Sequence, residues 1–230
     1  MTNEEKPISE EEIKRIKENE SDELLINCRK PEGELGEQMI KRMNKSHESL
    51  ARWGVSHLNI CEDDDILDIG CGGGVNVKRF SEMTKGKVYG IDYSPKSVEE
   101  SKKYNKENID NGQVEIYEGS VSELPFEDNS LDIVTGFETI YFWPDLKNDF
   151  KEIYRVLKED GAVFICNEES KDETLEERMG ERIKLLGMTV LSEDELGHLL
   201  YDAGFRNVTT FTKKDTHWLC AVARKIWKPM

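Results

Sequence analysis

The chain has 230 residues, 37% of them apolar and 35% charged, with a formal net charge of −16. So acidic a surface repels phosphate backbones and sets DNA or bulk RNA aside as a substrate. No stretch approaches the roughly 20 apolar residues of a membrane span, and Met1 opens on polar, acidic sequence instead of a signal-peptide core, so a cytoplasmic protein with no membrane partner is expected.

The first segment, residues 1–34, carries eleven acidic and six basic residues. It reads as an acidic arm outside the core, with one amphipathic helix around Glu10 to Ile26. Residues 35–60 form a second segment, in which Leu35, Met39, Met43, Leu50 and Trp53 recur at helical spacing. That pattern predicts a helix or a broken helical pair between Leu35 and Leu58. The remaining residues, 61–230, have room for one α/β domain with a generous core.

Strand one is the run Ile66-Leu67-Asp68-Ile69, which feeds directly into Gly70-Cys71-Gly72-Gly73-Gly74. Glycines in alternation allow positive φ and a close backbone approach to a ligand. The helix predicted from about Val75 to Thr84 would aim its N-terminal N–H groups at the same place. Val75 stands where the dinucleotide fingerprint G-x-G-x-x-G requires a small residue, so the pyrophosphate version fits poorly, and no G-K-[ST] ends the turn as a P-loop demands. Strand two, Lys87 to Ile91, ends at Asp92, 22 residues after Gly70. A carboxylate at that strand tip can accept both hydroxyls of a ribose, and Ser94 before Pro95 is the better cap for the following helix. Asp92 is therefore the candidate ribose ligand.

From about Ile66 to Glu168 the chain resembles the class I S-adenosylmethionine-dependent methyltransferases of the UbiE-like, type 11 kind. The likeness extends past the glycine loop. Val114 to Val121 matches the family's third strand and adenine turn, and Leu124-Pro125-Phe126-Glu127-Asp128-Asn129-Ser130-Leu131-Asp132 matches its L-P-F-x-D-x-x-F-D signature. Leu131 replaces the commoner Phe, and Ser120 replaces a frequent Asp. Strand four (Ile133 to Phe137), a helix (Leu146 to Leu157) and strand five (Gly161 to Cys166) follow in the family's order.

The resemblance implies a Rossmann-like fold, a doubly wound, seven-stranded, mostly parallel sheet, closed by a hairpin from Phe205 to Lys213 and Asp215 to Arg224. It also implies an N-terminal helical lid over the cofactor pocket, formed by residues 35–60. The cofactor would be S-adenosyl-L-methionine, held by Asp68, Gly70, Cys71, Gly72 and Gly74 on the first turn, with the Cys71 N–H facing it. Asp92 and Tyr93 would follow strand two, Ser120 and Val121 strand three, and Phe137 strand four. The insertion 169–190, with Leu175, Met179, Ile183 and Leu186 at helical spacing, would wall the substrate pocket.

Chemistry on a sulfonium methyl asks mainly for orientation, with a general base only where the acceptor carries a proton. His47 on the lid and Tyr141, in the aromatic run Tyr141-Phe142-Trp143, are the candidate catalytic residues. The cysteines, Cys28, Cys61, Cys71, Cys166 and Cys220, are an odd and scattered set without a C-x-x-C pair. They read as free thiols, with neither a disulfide framework nor a metal site. Gly136-Phe137-Glu138-Thr139 lacks the proline pair of nucleic-acid amino-methyltransferases. The expected acceptor is a small, flat or apolar molecule in an enclosed, largely apolar cavity, and the protein a monomer or homodimer. The rivals are a methyltransferase for a protein or tRNA nucleoside and a non-methylating cofactor-binding protein.

Overall fold

A computed structural model of the chain describes residues 21–226. The Glu10 to Glu20 part of the arm helix lies outside them, and a short helix α1 (Asp22–Ile26) is present, capped by the Ser21 hydroxyl. The sequence then builds α2 (Gly33–Ser46) and α3 (Glu48–Val55), a broken pair hinged at His47. Of the apolar positions read from the sequence, Met39 and Leu50 are buried, Met43 and Trp53 half-buried and Leu35 exposed, while Ile40 and Ala51 complete the buried face.

The sheet follows from short apolar runs alternating with helices. Its strands are β1 (Ile66–Ile69), β2 (Val88–Asp92), β3 (Val114–Glu118), β4 (Leu131–Phe137), β5 (Leu157–Asn167), β6 (Arg206–Thr212) and β7 (Leu219–Arg224). They lie in the order β3-β2-β1-β4-β5-β7-β6, with β7 antiparallel to both neighbours and the other neighbouring pairs parallel. All four residues of β1 are buried, as a central parallel strand covered on both faces requires. The chain winds outward through β2 and β3, then returns to the other side of β1 as β4. That reversal leaves a crevice beyond the carboxyl ends of β1 and β4, where open α/β sheets take ligands.

Between β1 and β2 runs α4 (Val75–Ser81), shorter than the sequence suggests. Next come α5 (Pro95–Tyr104), opened by the Ser94 hydroxyl accepting from Ser97 N–H, and α6 (Lys106–Asp110). The Leu124 to Asp128 run is not a strand but a loop fixed from α7 (Leu146–Val156). Arg155 on that helix donates to the carbonyls of Phe126 (2.8 Å) and Leu124 (3.1 Å) and to the Asp128 carboxylate (2.8 Å). The insertion forms α8 (Leu175–Leu186), closed by Gly187 at φ 63. The helix α9 (Glu193–Ala203) opens with a Ser192–Glu195 capping box. β7 is buried on both faces through Leu219, Cys220 and Ala221. Cys166 and Cys220, 54 residues apart, face each other across β5 and β7 with sulfurs 2.9 Å apart, both as free thiols.

Candidate active site

At the crevice beyond β1 and β4 lies a cavity of about 450 Å³. Its floor is the turn after β1. Gly72 takes φ 51 with nothing within 4 Å of where a Cβ would stand, so the turn is open toward the cavity there. Gly74, at φ 77, faces the other way: a Cβ would collide with Ser101 and Asn105 of the α5 region, and Gly74 is not on the cavity wall. The D-x-G-x-G-x-G pattern thus serves helix packing as well as the ligand face.

The N–H groups of the turn are arranged differently from the sequence expectation. Gly70 N–H and Cys71 N–H both donate to the Ile91 carbonyl, at 2.8 and 3.0 Å, which ties the turn to β2. Cys71 lines the cavity, but its N–H does not point into it. Its thiol is buried within reach of Ser101 Oγ, and burial pushes its pKa well above the ordinary value, so it packs as a small neutral group.

Asp92 is the organising acid of this half. It accepts from Gly72 N–H through Oδ2 and from Ser94 N–H through Oδ1, both at 2.9 Å, so its carboxylate is fixed on the cavity wall. Burial raises its pKa, and the two N–H donors oppose the rise. Asp68 lies deeper, 2% exposed, accepting from the Thr135 hydroxyl at 2.8 Å. Burial pushes its pKa up to about 7. Ser120, Val121 and Tyr93 also line the cavity, and the Tyr93 hydroxyl donates to the Arg29 carbonyl. Phe137 lines it with part of its ring and packs between Phe80 and Phe164 with the rest.

The roof is α2 and α3. Asn44 and Ile40 lie against Gly73, leaving no room for a side chain there, and Met43, Ser46 and His47 continue the wall. Cys28, Arg29 and Pro31 join it from the segment before α2, which the sequence reading assigned to an outlying arm. The Pro31 carbonyl accepts from the Ser94 hydroxyl at 2.7 Å, so this segment is tied to the tip of β2.

Beyond β4 the structure reassigns a role. Tyr141 is 3% exposed, and its hydroxyl lies 3.2 Å from both Glu138 Oε1 and the Glu169 carbonyl while accepting from Glu169 N–H at 2.9 Å. Burial and the Glu138 charge push its pKa well above the ordinary phenol value. The Tyr141 hydroxyl is therefore held between Glu138 and Glu169 and braces this wall. The residue it braces is Glu138, which sequence reasoning missed. Glu138 adopts φ 58, an uncommon conformation for a residue with a Cβ. Its Oε1 accepts from Glu168 N–H and Tyr141, and its Oε2 stands 3.9 Å from His47 Nε2. Nothing in a single sequence marks a left-handed glutamate, since that conformation is set by the tertiary bonds at both its ends.

His47, Glu138 and Glu168 present ligand atoms all within 4.8 Å of one another, a spacing that could also bracket a cation. Arg42 competes for that role, because its charge is felt by Glu168. The far wall is α8 with the turn after it, through Met179, Arg182, Leu186 and Met188. The cavity is thus more polar at this end than the apolar pocket expected from sequence.

A nucleoside cofactor fits this arrangement: a buried carboxylate at the tip of β2, an open glycine face at the tip of β1, and a cavity that continues past them. Residues 67–165 match the family model described as Methyltransferase domain. The chain is 28% identical over 189 residues to YrhH of Bacillus subtilis, named as a methyltransferase, covering 82% of this chain and 93% of that protein. It is 34% identical over 127 residues to demethylmenaquinone methyltransferase of Oceanobacillus iheyensis, covering 54% of this chain and about half, 52%, of that relative. Its fold is that of the solved complex between the Haloferax volcanii Trm112 methyltransferase activator and a methyltransferase, with a TM-score of 0.72, 22% identity, and 84% of this chain and 96% of that one covered. The family match over residues 67–165 and the names of the relatives together identify this sheet as the domain of a class I S-adenosylmethionine-dependent methyltransferase.

Proposed function

We propose that the methyl acceptor is a small molecule drawn wholly into the cavity, and that His47 with Glu138 receives its proton. The observation that supports this reading is the wall around the site: the space beyond the glycine turn is roofed by α2 and α3 and lined on its far side by α8. Asp68, Gly70, Gly72, Asp92, Tyr93, Ser120 and Val121 are proposed to hold the cofactor, with Cys71 and Phe137 as packing behind it.

When bound, S-adenosylmethionine supplies a methyl group already activated on a sulfonium. The chain's own residues must then orient the acceptor atom and exclude water, contributions that reach roughly 7–11 kcal/mol when alignment is good. Glu138, fixed at Oε1 by Glu168 N–H and Tyr141, directs Oε2 at the His47 ring. In this role the carboxylate stabilises the imidazolium that forms when the His47 ring takes the acceptor proton. Tyr141 is a positioning residue, acting through Glu138.

The test is to incubate the protein with methyl-labelled cofactor and a cell extract split by size. Label in the small-metabolite pool is expected. Label confined to the protein or tRNA pool would overturn the reading, and tight S-adenosylhomocysteine binding with no turnover on any pool would favour a non-methylating protein.

A further inference from the structure

The wall shared by α2, α8 and the segment before α2 carries an arrangement the methyl-transfer chemistry does not use. Arg42 Nη1 lies 3.6 Å from Met39 Sδ, which lies 3.5 Å from Cys28 Sγ, which lies 3.9 Å from Arg182 Nη2. Two guanidinium groups from elements 140 positions apart in the chain therefore meet over a pair of sulfurs, and both line the cavity. Met39 is fully buried, so the floor between them is weakly polar. Arg29 stands on the same rim, with Nη1 3.5 Å from the Leu186 carbonyl.

We infer that Arg42 and Arg182 form a receptor for an anionic group, a carboxylate or phosphate, on the methyl acceptor. This deepens the small-molecule reading and rests on it. The first argument is charge. In a protein of net charge −16, converging arginines on a cavity wall are against the general balance of the surface. Burial, and after it the neighbouring charge of Arg182, brings the Arg42 pKa down to about 10, with Glu168 opposing the change. The second argument is geometry of recognition. Planar guanidiniums bind carboxylates and phosphates through paired N–H donors, which fixes orientation as well as charge.

Placement assigns the group to the acceptor and not to the cofactor. On α2 it is Ile40 and Asn44 that lie against the glycine turn. Arg42, two residues from each, projects about 200° around the helix from them, toward α8. An anion there would hold the acceptor by one end and leave its other end for the His47–Glu138 pair.

Arg42→Met and Arg182→Met keep most of the stem and delete the charge. Inorganic phosphate and, separately, acetate are titrated calorimetrically into protein saturated with S-adenosylhomocysteine. Binding of at least one is expected, weakened about tenfold or more in each variant, with S-adenosylhomocysteine affinity within about twofold of the parent. No binding of either anion, equal binding by parent and variants, or an equal loss of S-adenosylhomocysteine affinity would overturn the inference. In a second arm the metabolite extract is passed over an anion exchanger before the labelling assay. Acceptor activity is expected only in the retained fraction, and label from the flow-through alone overturns the clamp. Alkaline phosphatase then separates the two sources: acceptor activity lost after treatment identifies a phosphate, activity kept identifies a carboxylate, and either agrees with the clamp. An extract with no acceptor at all would count against the small-molecule reading, while the anion titration would still decide the clamp.

Discussion

The two ends of the cavity are built by different means. At the cofactor end, the parts lie within about one βαβ unit and are joined through backbone N–H groups: Gly70 and Cys71 donate to the Ile91 carbonyl, and Gly72 and Ser94 to the Asp92 carboxylate. At the acceptor end, the parts come from the segment before α2, from the α2–α3 hinge, from the turn after β4 and from α8. They are joined by side chains reaching 154 and 157 residues along the sequence, Arg182 to Cys28 and Arg29 to Leu186. Backbone geometry tolerates few substitutions, whereas a side-chain wall can be re-cut residue by residue. One end therefore reads as a general device for a common cofactor and the other as the place where the acceptor is chosen.

That division predicts which kinetic constant each change moves. The largest effect is expected at the acceptor end. His47→Ala should lower kcat about a hundredfold or more, the usual scale of a lost general base, with S-adenosylhomocysteine affinity within about twofold. Glu138→Gln should follow it in direction and also shift the pH–rate profile, because it changes the group that stabilises protonated His47. Full turnover in both variants would remove the dyad and leave orientation alone to carry the reaction.

At the cofactor end, Asp92→Ala removes an acceptor held by two N–H groups and also frees the glycine turn. The charge-assisted bonds concerned are worth roughly 1.5–3 kcal/mol, so S-adenosylhomocysteine should bind about ten- to a hundredfold more weakly. NAD should bind no better than before, since the turn lacks the dinucleotide spacing. Calorimetry decides, and an unchanged dissociation constant would take Asp92 out of the site.

The same division governs what the sequence could disclose. The strand–glycine turn, the acid at the tip of β2 and the order of strands are local patterns, set by periodicity and backbone freedom, and they are legible from Ile66 through Cys166. Glu138 was invisible because its role depends on a left-handed backbone held by Glu168 N–H and Tyr141, contacts that no spacing reveals. Tyr141 drew attention as an aromatic with an ionisable group near a strand tip, yet burial decides its use, and burial is a tertiary property. Arg29 and Pro31 sit in a stretch whose charge suggests a solvated arm, and the Ser94–Pro31, Tyr93–Arg29 and Arg29–Leu186 bonds tie it down.

A smaller effect separates brace from base. Tyr141→Phe deletes the hydroxyl between Glu138 and Glu169 but leaves the ring in the core. Turnover should fall several-fold, less than in His47→Ala, and apparent stability should drop by about 1 kcal/mol for a lost buried hydrogen bond. A loss of turnover as large as that of His47→Ala would restore Tyr141 as the proton acceptor.

A pH dependence is expected at Asp68. Burial raises its pKa from 3.8 to about 7, so between those values the folded chain keeps a proton that the unfolded chain has released. A group of this sign contributes stability that is complete below the unfolded pKa and is lost as pH rises through the folded one. Asp68→Asn keeps an oxygen for the Thr135 hydroxyl and cannot ionise. The ligand-free variant should therefore melt higher than the parent at pH 8, with the gap smaller at pH 5 and closing only below the unfolded value of 3.8. A cationic ligand in the same cavity favours the ionised carboxylate, so the parent's affinity for S-adenosylmethionine should rise as pH passes 7. In the variant that rise should flatten. Melting curves that differ by the same amount at pH 5 and pH 8 would show that Asp68 does not titrate in this range, and the cofactor end would then owe its fit to backbone shape without help from a buried charge.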